Sequence, residues 1–178
     1  KTQFALSLIK QIISQSKGAV NYIYLDFKGL GRDKVSEYEP FFKATKTNFV
    51  DAPHTSFPLN PLSFIDPINE TNRILGINKF VDIVSKYAPG IGPNQIQTLR
   101  QAVKEVFEEK LSTYKMVQGT AAGMDSVTPE LMDVFEKVME LEEGEATSYT
   151  RVLQDLCFPK VFDKPNNNKK NFLEDNYY

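Results

Sequence analysis

Asn21-Tyr22-Ile23-Tyr24-Leu25-Asp26-Phe27-Lys28-Gly29 is the stretch whose reading decides the fold. Its first half is aromatic and β-branched, a composition that suits a fully buried strand over about 20–26, and it ends abruptly in Asp, Lys and Gly. A strand that delivers charge at its carboxyl end places chemistry there, because open α/β sheets bind ligands in the crevice at the carboxyl ends of their strands. Upstream, Thr2 to Gln15 reads as a helix, with Phe4, Leu8 and Ile12 on one stripe and Ala5, Ile9 and Ile13 beside it. Lys17 and Gly18 close it in the usual basic-then-glycine manner. Helix followed by buried strand is half of a βαβ unit, so the first strand is expected to precede Lys1.

Lys1-Thr2 opening such a helix is what remains of a phosphate-binding G-x-x-x-x-G-K-[ST] loop once its glycines are removed. On that reading Lys1 reaches the β- and γ-phosphates, the Thr2 hydroxyl binds Mg²⁺, and the helix N-terminus favours the anion. The competing reading is that Lys-Thr at this position is chance. Downstream, 28–33 combines glycine with charge, a composition for close backbone approach to a ligand or for a solvated turn. Asp26 and Lys28 either serve the nucleotide or have structural roles, Lys28 pairing with Asp26 or Asp33.

Composition bounds the rest. The 178 residues have room for one ordinary domain, and a hydrophobic fraction of 41% is typical of globular proteins. A single cysteine, Cys157, excludes an internal disulfide framework and fits a reducing cytoplasm; with one histidine, His54, a zinc site is not expected. The net charge of −2 gives no global footprint for nucleic acid, so DNA contact would need a local patch. No run is apolar and long enough to span a bilayer.

Along the chain, 39–42 reads as a helical start or packed turn and Thr47 to Val50 as a short strand. The prolines at 53, 58 and 61 force an extended connection in which Phe57, Leu59 and Leu62 dock on a core and Asn60 turns the chain before Pro61. His54 there is a loop residue rather than a catalytic base. Helices are expected from about Asn69 to Tyr87, weakened by Gly76; from Asn94 through Phe107; from Thr128, as N-cap to Pro129, through Leu141; and over Ser148 to Phe158. Ser112 to Val127 reads as a loop and Glu140, Glu142, Glu143 and Glu145 as a solvated face. Residues 164–171 are polar and of low complexity, and Phe172 to Tyr178 begins a further strand. The division is therefore 1–65 as a partial core, 66–163 as an inserted or appended helical region, and 164–178 as a polar loop with the start of another core strand. Both ends are expected to be truncated.

Lys1-Thr2, the strand ending Asp26-Phe27-Lys28-Gly29, the segment Phe57-Pro58-Leu59-Asn60-Pro61-Leu62, and Gly92-Pro93-Asn94-Gln95 before a long helix together resemble the FtsK/HerA superfamily of motor ATPases. Within it the likeness is greatest to the HerA-like DptH ATPases of phosphorothioation-dependent DNA restriction systems. The resemblance implies an α/β, RecA-like P-loop NTPase core. It also implies ATP and Mg²⁺ as cofactors, a hexameric ring acting on double-stranded DNA, and other restriction-complex subunits as partners; no membrane partner is expected, since no run is long and apolar enough to span one. It carries Lys1 and Thr2 onto phosphate and Mg²⁺ binding, Lys1 being catalytic, and sets Asp26, Lys28 and Gly29 beside the nucleotide. The Walker-B strand is expected beyond Tyr178, and the fragment alone is expected to be inactive. Two other classes stay open: a non-catalytic helical interaction or assembly module, and another P-loop phosphotransferase.

Overall fold

A computed structural model describes the chain except residues 1, 18, 27–33, 52–53, 117–126, 159–160, 164–175 and 178. The chain divides into two compact units, 1–58 with 165–178, and 59–164.

In the first unit, helix α1 (Thr2–Ser16) packs on helix α2 (Val35–Thr45). α2 is longer than the turn expected at 39–42. It carries Pro40 inside, where the missing N–H forfeits one helical hydrogen bond, and ends at Lys46 in the left-handed conformation (φ 51°). Strand β1 (Thr47–Asn48) follows at once and pairs in parallel with β2 (Asn176–Tyr177), Thr47 opposite Asn176 and Asn48 opposite Tyr177. On the other side of Tyr177 lies Ile23, also parallel, with the Tyr24 N–H donating to the Tyr177 carbonyl and the Tyr177 N–H to the Tyr22 carbonyl, both at 3.0 Å. The tail thus supplies the central strand of three parallel extended segments.

Two sequence expectations are corrected here. The segment 20–26 is not buried on both faces: Tyr22 and Tyr24 are half-buried, whereas Val20, Ile23 and Leu25 are exposed, Leu25 at 67%. Its residues alternate because only one face packs, Tyr22 meeting Phe41 edge to face at 6.3 Å. On α1 the buried residue is Leu6, and the stripe of Phe4, Leu8 and Ile12 faces outward, Phe4 at 74% exposure.

Hydroxyls and amides, rather than apolar contacts alone, hold this unit. Thr45, 1% exposed, donates to the Phe41 carbonyl at 2.7 Å and meets Thr47 Oγ1 at 2.6 Å, while the Tyr22 hydroxyl bonds both threonines. Asn176, also buried, accepts from the Tyr22 N–H through Oδ1 at 3.1 Å and donates through Nδ2 to the Thr45 carbonyl at 2.6 Å. One side chain therefore ties the first extended segment, the end of α2 and the central strand together.

The second unit is a four-helix bundle of α3 (Glu70–Tyr87), α4 (Pro93–Met116), α5 (Leu131–Leu141) and α6 (Ser148–Cys157). α3 packs on α4, α4 on α5, α5 on α6, and α6 back on α3. The closed circuit encloses Ile77, Val81, Leu99, Val103, Phe107, Val134, Val138, Tyr149 and Leu153. Asn60 turns the entering chain as its sequence predicts: Oδ1 accepts from the Leu62 N–H at 3.0 Å, and Nδ2 anchors to the Pro129 carbonyl at 2.8 Å. Asp66 Oδ1 accepts the Ile68 and Asn69 N–H groups, each at 2.9 Å, and these bonds, that from Asn69 foremost, hold its carboxyl below the usual range. Asn69 then caps α3. α4 begins at Pro93 and runs to Met116, so 112–116 is helix where a loop was expected; 117–126 lies outside the described residues. α5 begins at Leu131, with Glu130 as N-cap in place of Thr128, because the Asp133 carboxylate reaches back to the Glu130 N–H at 2.7 Å.

The acidic cluster is more engaged than a solvated face. Glu140 joins Glu109 in clamping Lys137 (2.9 and 3.0 Å), and Glu142 accepts the buried Tyr149 hydroxyl at 2.6 Å. Burial, reinforced by Glu142, pushes that hydroxyl's pKa well above its ordinary value.

Candidate functional site

Three parallel segments share one carboxyl end. The row Ile23–Tyr177–Asn48 fixes their register, and Asp26 and Asp51 each lie three residues past it on the two outer segments. Asp26 is half-buried, as is Asp51. The Asp51 N–H donates to Thr55 Oγ1 at 2.7 Å and its carbonyl accepts the Thr55 N–H at 2.9 Å. Asp51 is the residue that sequence reasoning missed. A strand of two residues has no periodicity to announce it, and only the register identifies Asp51 as the counterpart of Asp26.

Thr2 is the first residue of α1 and is exposed. The first turn of α1 carries no acidic side chain, so its positive end is not compensated from within the helix. Of the other predicted residues, Lys1, Lys28 and Gly29 lie outside the described residues. The structure thus places Thr2 at a helix N-terminus and Asp26 at the carboxyl end of an extended segment within the same unit. A hydroxyl at a helix start and carboxylates at a sheet's carboxyl end are the donor types that suit Mg²⁺ and a polyphosphate.

Elsewhere, His54 is exposed in a turn, in keeping with a loop role. Cys157 is buried, and burial, aided by the charge of Glu136, pushes its thiol up to about 11, which leaves it protonated and unreactive near neutrality. Among the described residues no three His, Cys, Asp or Glu side chains are grouped to hold a metal on their own, and no helix is long and apolar enough to cross a membrane.

No family model, curated protein or solved structure matches the chain.

Proposed function

We propose that the chain is part of a RecA-like P-loop ATPase, an ATP-driven motor that translocates or remodels double-stranded DNA in a cytoplasmic host-defence restriction complex. The observation that carries the reading is one of connectivity. α1, opening at Thr2, feeds into an extended segment parallel to two others, and Asp26 and Asp51 leave the same end of that set. In this reading Thr2 ligates Mg²⁺, Lys1 meets the β- and γ-phosphates, the start of α1 stabilises their charge, and Asp26 with Lys28 and Gly29 lines the nucleotide. When bound, Mg²⁺-ATP supplies the phosphoryl group whose transfer to water drives movement. The chain's own part is to orient the phosphates and neutralise their charge. The hexameric ring, the duplex substrate and the other restriction subunits follow from the FtsK/HerA resemblance.

The test is Mg²⁺-dependent binding of a fluorescent ATP analogue to the full-length protein. Thr2→Ala is expected to weaken it about tenfold, the worth of a hydrogen-bonded ligand to a charged group. Equal binding by Thr2→Ala and the parent, or binding indifferent to Mg²⁺, would contradict the assignment.

A further inference from the structure

We infer that the groove between α3 and α4 is a binding site for a phosphate group, centred on Arg100. The groove, about 510 Å³, is lined by Arg73, Asn78, Gln97 and Arg100, with Lys104 one turn further along α4. Its central cation is held by carboxamides rather than by a direct carboxylate contact. Arg100 Nε donates to Asn78 Oδ1 at 3.0 Å and Nη1 to Gln97 Oε1 at 2.8 Å, and among the described residues it makes no ion pair. Three of the bundle's lysines, Lys104, Lys110 and Lys137, face carboxylates instead. Arg73, only 8% exposed, spends Nη1 on the Pro67 carbonyl at 2.8 Å and adds a second guanidinium to the same groove.

The donor balance selects the ligand. Because both carboxamides turn their oxygens to Arg100, the Asn78 and Gln97 NH₂ groups stay unengaged among the described residues beside the guanidinium's remaining N–H groups. A site with many convergent donors matches a tetrahedral phosphate, which has more acceptor lone pairs than a planar carboxylate. Carboxylates in the same lining limit its size. Glu105 holds Gln101 at 2.8 Å, Glu108 faces Lys104 at 3.7 Å, and Glu70 lines the groove as well. Their negative charge opposes several phosphates laid along the groove and favours a single phosphate at Arg100. A free phosphate-bearing ligand meets that limit directly, and a nucleic-acid backbone meets it where one of its phosphates enters the groove alone.

The experiment follows the Asn78 and Gln97 side-chain NH₂ resonances, which Arg100→Lys retains, in the full chain, first with inorganic phosphate and separately with a short DNA duplex. A saturable shift is expected, with affinity falling at least about fivefold in Arg100→Lys, which keeps the charge but loses the fork. Arg151→Gln, on the exposed face of α6, leaves it unchanged. Lys104→Gln, at an exposed position, weakens it less and guards against a folding artefact of the arginine change. Saturation by duplex, with affinity falling linearly in log salt, assigns the phosphate to a nucleic-acid backbone; saturation by inorganic phosphate alone assigns it to a free ligand. No saturable shift with either probe, or affinity in Arg100→Lys equal to the parent's, overturns the inference. The readout needs no hydrolysis and is insensitive to Lys1→Ala, so it stands or falls apart from the ATPase reading.

Discussion

Asn176→Leu should loosen the parallel core of the first unit while leaving the helical bundle intact. The substitution keeps the side chain's approximate volume but removes two bonds, the acceptance from the Tyr22 N–H (3.1 Å) and the donation to the Thr45 carbonyl (2.6 Å). Thr45 is 1% exposed and Asn176 is buried, so water does not readily replace either partner. Each orphaned group costs about 1–3 kcal/mol, and the added leucine burial returns about 1.5–3 kcal/mol. The net loss is about 2 kcal/mol. Amide hydrogen exchange reads it directly: the Tyr22 and Tyr24 N–H groups, which bond to Asn176 and to the Tyr177 carbonyl, should exchange about thirtyfold faster, since 1.4 kcal/mol is a factor of ten. The Val103 amide, deep in α4, should not change. Tyr22 and Tyr24 protection within about threefold of the parent's would refute the claim that Asn176 ties these segments together.

Gly76→Ala should destabilise the bundle although alanine is the better helix former. A Cβ at 76 meets the Ile65 Cα, Cγ1 and Cγ2 atoms at 3.1 Å, so an overpacking cost of about 1–3 kcal/mol opposes a propensity gain of about 1 kcal/mol. A chemical-denaturation midpoint higher than the parent's would contradict the close approach. Cys157 should resist alkylation at pH 8 in the folded chain and react once the chain is unfolded in denaturant, which mass spectrometry of the carbamidomethylated protein checks. Its thiol also sets a pH dependence. Below about 9 the proton is held in both states; from 9 to about 11 the unfolded chain ionises first, so stability falls across that window and Cys157→Ala should flatten the fall.

The helical bundle was largely legible in the sequence because it obeys local rules. The apolar spacing of Leu99, Val103, Val106 and Phe107 marks α4, and the Asn60 and Asn69 turns use side-chain oxygens on nearby N–H groups. Its errors were at ends. Thr128-Pro129 has the form of a helix start, yet Asp133 chooses Glu130, and the polar tail of α4 hides a helix that runs on to Met116. The first unit was less legible because its order is non-local. Nothing near Thr47 or Asp51 says that Tyr177, far along the chain, will align Asp26 with Asp51. The facing of α1 was likewise hidden, since Phe4, Leu8 and Ile12 form as good a stripe as Leu6 and its neighbours; packing on α2 makes the choice.

The ATPase reading is tested most directly by steady-state ATP hydrolysis by the full-length protein, with and without duplex DNA, beside the same protein carrying Lys1→Ala. The account predicts hydrolysis stimulated by DNA and abolished by the substitution. Hydrolysis that survives Lys1→Ala, or no hydrolysis and no nucleotide binding by the parent, would contradict it and leave a helical interaction module as the better description.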